Sequence, residues 1–206
     1  MQHDNNKKLA QTSDETILTT GINRCRWCGA QPLYQTYHDD EWGNPDKSED
    51  ELFELFMLET QHAGLSWWTV LSKREGYRQA YHQFDAVKIS EMNEADVERL
   101  MADSGIIRNR LKVNAMIHNA KTYLRFCEEV APFKTYFWNQ VGNQQIVNRY
   151  DEGELSPATT PLSDEIAKTF KRFGFKFFGS TTAYAFLQAA GIVDDHLPEC
   201  DLAREK

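Results

Sequence analysis

The spacing of apolar and polar positions predicts helices along almost the whole chain. The clearest helix runs from about Ser48 to His62, with acidic residues in its first turn, where they suit the helix dipole. Gly64 ends this segment, and Ser66 is placed to cap a second helix that carries Trp67. Steps of three and four put one carboxylate among apolar residues on a single face of the first helix. That face consists of Leu52, Leu55, Phe56, Glu59 and Ala63.

Later helices are predicted from the same periodicity and from their boundary residues. Asn93 and Asp96 form a capping pattern for a helix that Gly105 ends, and a long basic helix follows it. The remaining boundaries are Ser163 and Gly174 for one helix, and Thr181 and Gly191 for the last. Residues 151 to 161 are expected to form a loop, and no segment alternates convincingly like a strand. The predicted fold class is therefore all-α, as one compact unit or two closely packed helical lobes.

Length and composition narrow the protein class. The chain has 206 residues, 41% of them hydrophobic, with a mean hydropathy of -0.62, as expected for a water-soluble globular protein. It contains no apolar run near the length that spans a bilayer, so a cytoplasmic location is expected. Residues 1–22 are predicted to be a disordered extension, 23–201 a single domain and 202–206 a tail. Four cysteines are too few for a disulfide framework of this length.

Charge is unevenly distributed along the chain. The net charge of -8 argues against indiscriminate nucleic-acid binding, and acidic residues concentrate between positions 39 and 54. Two segments, 104–127 and 166–193, contain lysines and arginines and no acidic residue. Local basic surface of this kind favours phosphate binding. Solvated helix faces explain the pattern equally well.

Cysteine and histidine residues near both ends suggest a metal site. Cys25, Cys28 and His38 lie near the start, and His196 and Cys200 lie four residues apart near the end. Two thiolates and two imidazoles form the usual closed tetrahedral zinc site, which stabilises a fold and offers no position to a substrate. The spacing fits no standard zinc finger, so unrelated buried cysteines and surface histidines remain the alternative.

Residues 100–117, LMADSGIIRNRLKVNAMI, are predicted to form a helix, a tight turn and a basic helix. Gly105 permits the turn, and the amides at the start of the second helix are free to face a phosphate. Arg108, Arg110 and Lys112 add the counter-charge for sequence-independent DNA binding. This segment resembles a helix-hairpin-helix element, although an ordinary pair of antiparallel helices with a basic end has the same pattern.

Several long segments, taken together, resemble the bacterial DNA-3-methyladenine glycosylase I family, a branch of the helix-hairpin-helix glycosylases. They are PLYQTYHDDEWG, LETQHAGLSWWTVL, SGIIRNRLKVNAMI, RFGFKFFG and GIVDDHLPEC, and the match extends from Cys25 to Cys200. The resemblance implies a helix-hairpin-helix glycosylase-like bundle, with the hairpin at about 93–127. It also implies a structural zinc ion that joins the termini. The positions that match its ligands are Cys25, His38, His196 and Cys200, which leaves Cys28 as an additional thiol.

The resemblance also implies an activity. The family excises 3-methyladenine from alkylated double-stranded DNA by hydrolysing the bond between the base and the deoxyribose, which releases the free base. Glu59 matches its base-recognising carboxylate and catalytic candidate, and Tyr37 and Trp67 match its aromatic pocket. Tyr34 and Trp42 are expected to line the same cavity. Leu65 is a candidate wedge into DNA or, equally well, a core leucine. A monomer without membrane contact is expected.

Glu59 is the residue on which the alternatives differ. Burying an unpaired carboxylate is costly, so its expected partner is the cationic methylated base, which predicts an acid without a protein partner in the empty site. Segment 104–127 lacks the aspartate that most helix-hairpin-helix glycosylases use, as in the resembled family. The competing interpretations are a non-catalytic helix-hairpin-helix DNA-binding module with structural zinc, an enzyme with catalytic zinc, and simple packing of Glu59 in the core.

Overall fold

The computed structural model describes residues 21–151 and 153–203. The predicted N-terminal extension, apart from residues 21 and 22, lies outside these ranges, as do the last three residues of the predicted tail. In the ranges described, no helix is both long enough and apolar enough to cross a membrane.

Helices dominate the described chain, as the apolar periodicity predicts. In chain order, the α-helices are α1 Pro32–Thr36, α2 Glu49–His62, α3 Trp67–Leu71, α4 Arg74–Ala80, α5 Ala86–Glu91, α6 Glu94–Ala102, α7 Arg110–Glu129, α8 Phe133–Asn139, α9 Pro161–Phe173 and α10 Ser180–Ala189. A π-helical turn, Tyr37–Glu41, continues α1, and short 3-10 turns cover Arg26–Cys28 and His82–Phe84. Strands β1 Ile146–Val147 and β2 Val193–Asp194 pair in parallel. This two-residue ladder is too short to be recognised from alternation.

Helix α2 has the boundaries that the sequence predicts. The Ser48 hydroxyl accepts a hydrogen bond from the Glu51 amide, and the Glu51 carboxylate accepts one from the Ser48 amide, which completes a capping box. Leu52, Phe56 and Glu59 are buried along one face of this helix. The helix therefore crosses the core and carries its carboxylate inside.

Other boundaries differ from the prediction by a few residues. Helix α9 begins at Pro161, because the Thr160 hydroxyl caps it and Ser163 is the third helical residue of the capping box. Helix α6 ends at Ala102, and Gly105 lies farther along, in the α6–α7 turn (residues 103–109). Gly174 ends α9 in the left-handed conformation, as predicted.

Aromatic rings fill the interior between α2, α7, α8, α9 and α10. Phe56 packs edge-on against Phe133 with ring centroids 5.1 Å apart, and Phe170 stacks on Phe175 at 4.6 Å. All four rings are buried. Such pairs add specific geometry to the burial of large apolar area, and they hold α2 in a fixed position.

The α6–α7 turn packs closely against helix α4. A Cβ atom on Gly76 would lie only 2.3 Å from the Gly105 carbonyl oxygen, so glycine is required at position 76 for this approach. The Lys73 ammonium donates to the Ser104 carbonyl at 2.7 Å, and the Tyr77 hydroxyl accepts from the Ile107 amide at 3.2 Å. These contacts fix the turn with respect to α4.

Candidate active site

A cavity of about 240 Å³ opens between helix α2, the Tyr37–Glu41 turn, helix α3 and two later segments. Its walls contain the carboxylate and all four aromatic residues that the sequence predicts for the base pocket. These residues are Glu59, Tyr34, Tyr37, Trp42 and Trp67. The fold therefore brings this predicted set together around one space.

Glu59 is 3% exposed and lies one turn before the end of α2. Burial raises the pKa of its carboxyl group, and the neighbouring His62 acts in the opposite direction. The His62 Nδ1 atom lies 3.1 Å from Glu59 Oε2. The expectation of an acid without a protein partner is therefore wrong, because the next turn of the same helix supplies an imidazole.

Aromatic rings enclose this carboxylate. Tyr37 is buried, and its ring centroid lies 5.4 Å from that of Trp67. Trp27 lies 4.9 Å from Trp42 and 5.3 Å from Tyr34 by the same measure. Burial raises the pKa of Tyr34 to about 12 and holds that of Tyr37 well above its ordinary value. Both tyrosines therefore line the cavity as neutral rings.

The opposite wall contains a second buried carboxylate, that of Asp195. Its Oδ2 atom accepts hydrogen bonds from the Tyr184 hydroxyl and the Gln188 amide, both at 2.6 Å. Its Oδ1 atom accepts from the Asn148 amide at 2.8 Å and the Tyr150 hydroxyl at 3.0 Å. Four neutral donors thus satisfy this acid, and it links strand β2 to the segment after β1.

Cysteine and histidine side chains converge beside the cavity. The donor atoms of Cys25, His38 and Cys200 all lie within 4.8 Å of one another, and all three residues are buried. Cys200 Sγ lies 3.6 Å from His38 Nε2. Hydrogen bonds from Cys25 and His38 lower the pKa of the Cys200 thiol. Cys28 is buried but lies outside this group of three.

His196, like His38, has a carboxylate beside its Nδ1 atom. In each histidine the Nδ1 atom lies 2.9 Å from a carboxylate oxygen, that of Asp194 for His196 and that of Asp39 for His38. The two rings lie 5.3 Å apart, and His196 Nε2 is buried without a hydrogen-bond partner in the described chain. A Cβ atom on Gly43 would lie 2.8 Å from this ring, so glycine leaves room for it. In metal-binding histidines, one ring nitrogen commonly donates to a carboxylate, and the other nitrogen binds the metal.

The residues predicted to contact DNA differ in their surroundings. Arg108 is exposed, and Arg110 forms ion pairs with Glu94 at 3.0 Å and Glu98 at 2.7 Å. Lys112 is 7% exposed, and its ammonium donates to the carbonyl oxygens of residues 61 and 63. The phosphate contact expected of Lys112 would require it to leave these carbonyls, so its placement favours a role in fixing the end of α2.

Leu65 lies in the loop between α2 and α3. Its side chain is 40% exposed, and its amide donates to the His62 carbonyl at 2.7 Å. Gly64 precedes it with a φ of +77°, which turns the chain sharply after the helix. Of the two interpretations left open for Leu65, the exposed apolar side chain agrees better with a wedge than with a core position.

Comparison with known protein families gives one clear result. The family model described as methyladenine glycosylase matches residues 27–204. The chain belongs to the methyladenine glycosylase family. The match includes the cavity, the α6–α7 turn and three of the four candidate metal ligands.

Curated relatives of this family are similar over nearly their full length. DNA-3-methyladenine glycosylase 1 of Escherichia coli K12 is 48% identical over 179 residues, which cover 87% of this chain and 96% of that protein. DNA-3-methyladenine glycosylase of Haemophilus influenzae Rd is 46% identical over 177 residues, covering 86% and 96%.

Solved structures of the family share the fold. A crystal structure of 3-methyladenine DNA glycosylase I matches with a TM-score of 0.85 and 45% identity, covering 88% of this chain and all of that one. The Staphylococcus aureus enzyme, described for its recognition of 3-methyladenine, matches with a TM-score of 0.83 and 34% identity, covering 90% and 98%. These values confirm the family and the mostly helical fold predicted from sequence.

Sequence reasoning missed part of the methyladenine glycosylase cavity. Trp27 lies outside the predicted set, although it follows the candidate metal ligand Cys25 by two residues and lines the cavity. Asp195 and Gln188 were not proposed either. Asp195 precedes a candidate metal ligand, and that adjacency is the only signal that the sequence gives for it.

Proposed function

We propose that this chain hydrolyses the N-glycosidic bond of 3-methyladenine in alkylated double-stranded DNA and releases the free base. The observation that carries the proposal is Glu59, a buried carboxylate in a cavity lined by aromatic rings. If Glu59 were only packed in the core, no cavity would be expected beside its carboxylate. The similarity to the DNA-3-methyladenine glycosylases of Escherichia coli and Haemophilus influenzae supports the same reaction.

The cavity suits a methylated adenine chemically. Methylation at N3 leaves the base positively charged while it is bonded to the sugar, and the faces of Tyr37 and Trp67 attract cations. The Glu59 carboxylate accepts hydrogen bonds from the amino edge of the base and offsets its charge. Undamaged adenine is neutral and lacks this attraction. A base inside a duplex cannot reach such a cavity, so the nucleotide must be flipped out of the helix.

Bond cleavage then depends mainly on charge. The methylated base is a good leaving group, and positive charge develops on the sugar as the bond to the base lengthens. A binding site that favours this charge distribution over the ground state lowers the barrier. Glu59 touches the base in this proposal and is therefore the catalytic candidate. The proposal also assigns the orientation of the attacking water to Glu59.

The α6–α7 turn is proposed as the helix-hairpin-helix element that holds the DNA backbone. Its exposed cation Arg108 suits a phosphate. Arg110 would contact a phosphate as well if its guanidinium released Glu94 and Glu98. Leu65, on the exposed loop beside the cavity, is proposed to fill the gap that the flipped base leaves.

A structural zinc ion is proposed at Cys25, His38, His196 and Cys200. His196 lies outside the group of three donors, but its ring lies 5.3 Å from that of His38 and its buried Nε2 atom has no partner in the described chain, and a metal ion would satisfy such a nitrogen. When bound, the ion would crosslink the two ends of the domain. Four side-chain ligands leave no coordination position for water, so the proposal gives zinc no step in the hydrolysis.

Release of 3-methyladenine from methylated duplex DNA tests the proposal directly. The purified protein should release the methylated base and leave undamaged adenine in place, and Glu59→Gln should reduce release by at least about tenfold. Glu91→Gln, the same change at an exposed position on α5, is the matched control. A folded protein that binds DNA without releasing the base would instead support the non-catalytic binding module. We also propose that the protein is a monomer, which sedimentation of the same sample would check. The proposed location is the bacterial cytoplasm.

A further inference from the structure

His62 is in direct contact with the candidate base-reading carboxylate. Its Nδ1 atom lies 3.1 Å from Glu59 Oε2, and its ring packs edge-on against Trp67 with centroids 5.7 Å apart. The His62 side chain is 28% exposed and lines the cavity. The imidazole therefore touches the carboxylate, an aromatic wall and the space for the base.

This contact creates a competition for one carboxylate. A neutral His62 can donate its Nδ1 hydrogen to Glu59 and hold the acid in its ionised form, leaving the other oxygen for the base. A protonated His62 neutralises Glu59 and places a second positive charge beside a cationic base. One buried carboxylate cannot neutralise two neighbouring positive charges at the same time.

We propose that His62 is a positioning residue through which base capture depends on pH. A proton on the His62–Glu59 pair and the cationic methylated base exclude each other from the pocket. This inference rests on the proposed function, because it requires a cationic base at Glu59. It concerns a residue that holds the carboxylate and does not itself read the base.

The other charged groups of the cavity do not compete with the cationic base for the Glu59 carboxylate. The rings of Tyr34 and Tyr37 stay neutral, as described above. Arg26 pairs with Glu199 at 3.1 Å, and four neutral donors hold Asp195. Asp151 and Glu154 lie on the exposed segment at the cavity mouth. In the described residues, the imidazole of His62 is the ionisable side chain that lies within hydrogen-bond distance of Glu59.

The dependence of kcat/KM on pH tests the proposal on methylated duplex DNA between pH 5.5 and 8.5. His62→Gln keeps an amide donor for Glu59 and removes one proton-binding site. A pair of sites takes up its first proton at higher pH than one of its members alone. As the pH is lowered, the activity of the wild type should therefore begin to fall at a higher pH than that of His62→Gln. The ratio of wild-type to variant kcat/KM should therefore drop by at least about threefold from pH 8 to pH 6.

His82→Gln is the matched control, since it makes the same change on an exposed turn outside the cavity. It should follow the wild-type profile. Parallel profiles for wild type and His62→Gln would overturn the proposal. Absence of base release by the wild type at pH 8 would instead refute the proposed function, so the two failures are distinguishable.

A binding measurement gives a second readout that does not require turnover. The cation 3,9-dimethyladeninium has a fixed positive charge like that of the methylated base in DNA. Calorimetry in two buffers of different ionisation enthalpy gives the number of protons released on its binding. Wild type should release more protons at pH 6.5 than at pH 8.5, and more than His62→Gln at pH 6.5. Should the variant not fold, equal release by the wild type at both pH values overturns the proposal.

Discussion

The ammonium of Lys112 lies 2.6 Å from the carbonyl oxygen of Gln61, and 2.8 Å from that of Ala63. These two carbonyls lie at the end of α2, immediately before Gly64 and Leu65. The first turn of α7 thus holds the end of the helix that carries Glu59. Lys112 connects the proposed DNA-binding element to the proposed base pocket through direct hydrogen bonds.

Replacing Lys112 should therefore affect both stability and excision. Lys112→Met keeps the aliphatic length and leaves one buried and one half-buried carbonyl without their charged donor, at a cost of about 2 kcal/mol in the free energy of unfolding. Excision should fall as well, because the Leu65 loop loses its support. Urea denaturation and a base-release assay measure the two effects. Lys121→Met, at an exposed position on the same helix, should change neither.

The close contact between Gly76 and Gly105 predicts a different defect. In Gly76→Ala the added Cβ atom would overlap the Gly105 carbonyl, so the α6–α7 turn must move, at a cost of about 1–3 kcal/mol. Binding of duplex DNA should weaken, while binding of free 3-methyladenine should persist because Gly76 lies outside the cavity.

Gly179→Ala is the control for this contact, since a Cβ atom there meets nothing within 4 Å. Fluorescence anisotropy with labelled duplex and calorimetry with the free base measure the two affinities. If Gly76→Ala bound duplex as tightly as Gly179→Ala, the turn would not be the DNA contact.

Glu59 is predicted to reduce the stability of the empty protein. Burial raises the pKa of the Glu59 carboxyl group in the folded state. The group therefore favours folding most at pH values below its pKa in the unfolded chain, where it is protonated in both states. This contribution is lost as the pH rises through the folded-state pKa and the buried group becomes charged. Glu59→Gln should therefore raise the free energy of unfolding at pH 8, by about 1 kcal/mol, and by less at pH 5. Denaturation at both pH values measures this. A variant less stable than the wild type at pH 8 would favour simple packing of the acid.

Metal removal should unfold the ends of the domain. Cys200→Ser should lower zinc content and melting temperature, because a structural zinc contributes directly to folding free energy. Cys127→Ser is the matched control, since Cys127 lies on α7, outside the group of donors. Metal analysis and thermal unfolding, with and without a chelator, provide the readouts. Equal zinc content in both variants would remove Cys200 from the ligand set.

Local sequence signals determined the helices whose ends are chemically marked. Ser48 caps α2, Asn93 caps α6 and Gly174 ends α9, because capping bonds and left-handed glycines depend on neighbours within a few residues. The same local reasoning placed Glu59 on an apolar face. Shorter elements such as α5 and the β1–β2 ladder had too few residues to show a period.

Only the tertiary structure decided which of the polar residues act together. The sequence shows Lys112 as one of several cations in a basic segment, and packing against α2 places its ammonium on carbonyls. Asp195 joins the cavity because β2 runs beside β1 and brings it to Asn148 and Tyr150. The group of Cys25, His38 and Cys200 forms because the two ends of the described chain meet, as the hydrogen bond from the Asp201 amide to the Asn23 carbonyl shows. Contacts between residues far apart in the chain depend on how the elements pack, and residue types alone do not determine that arrangement.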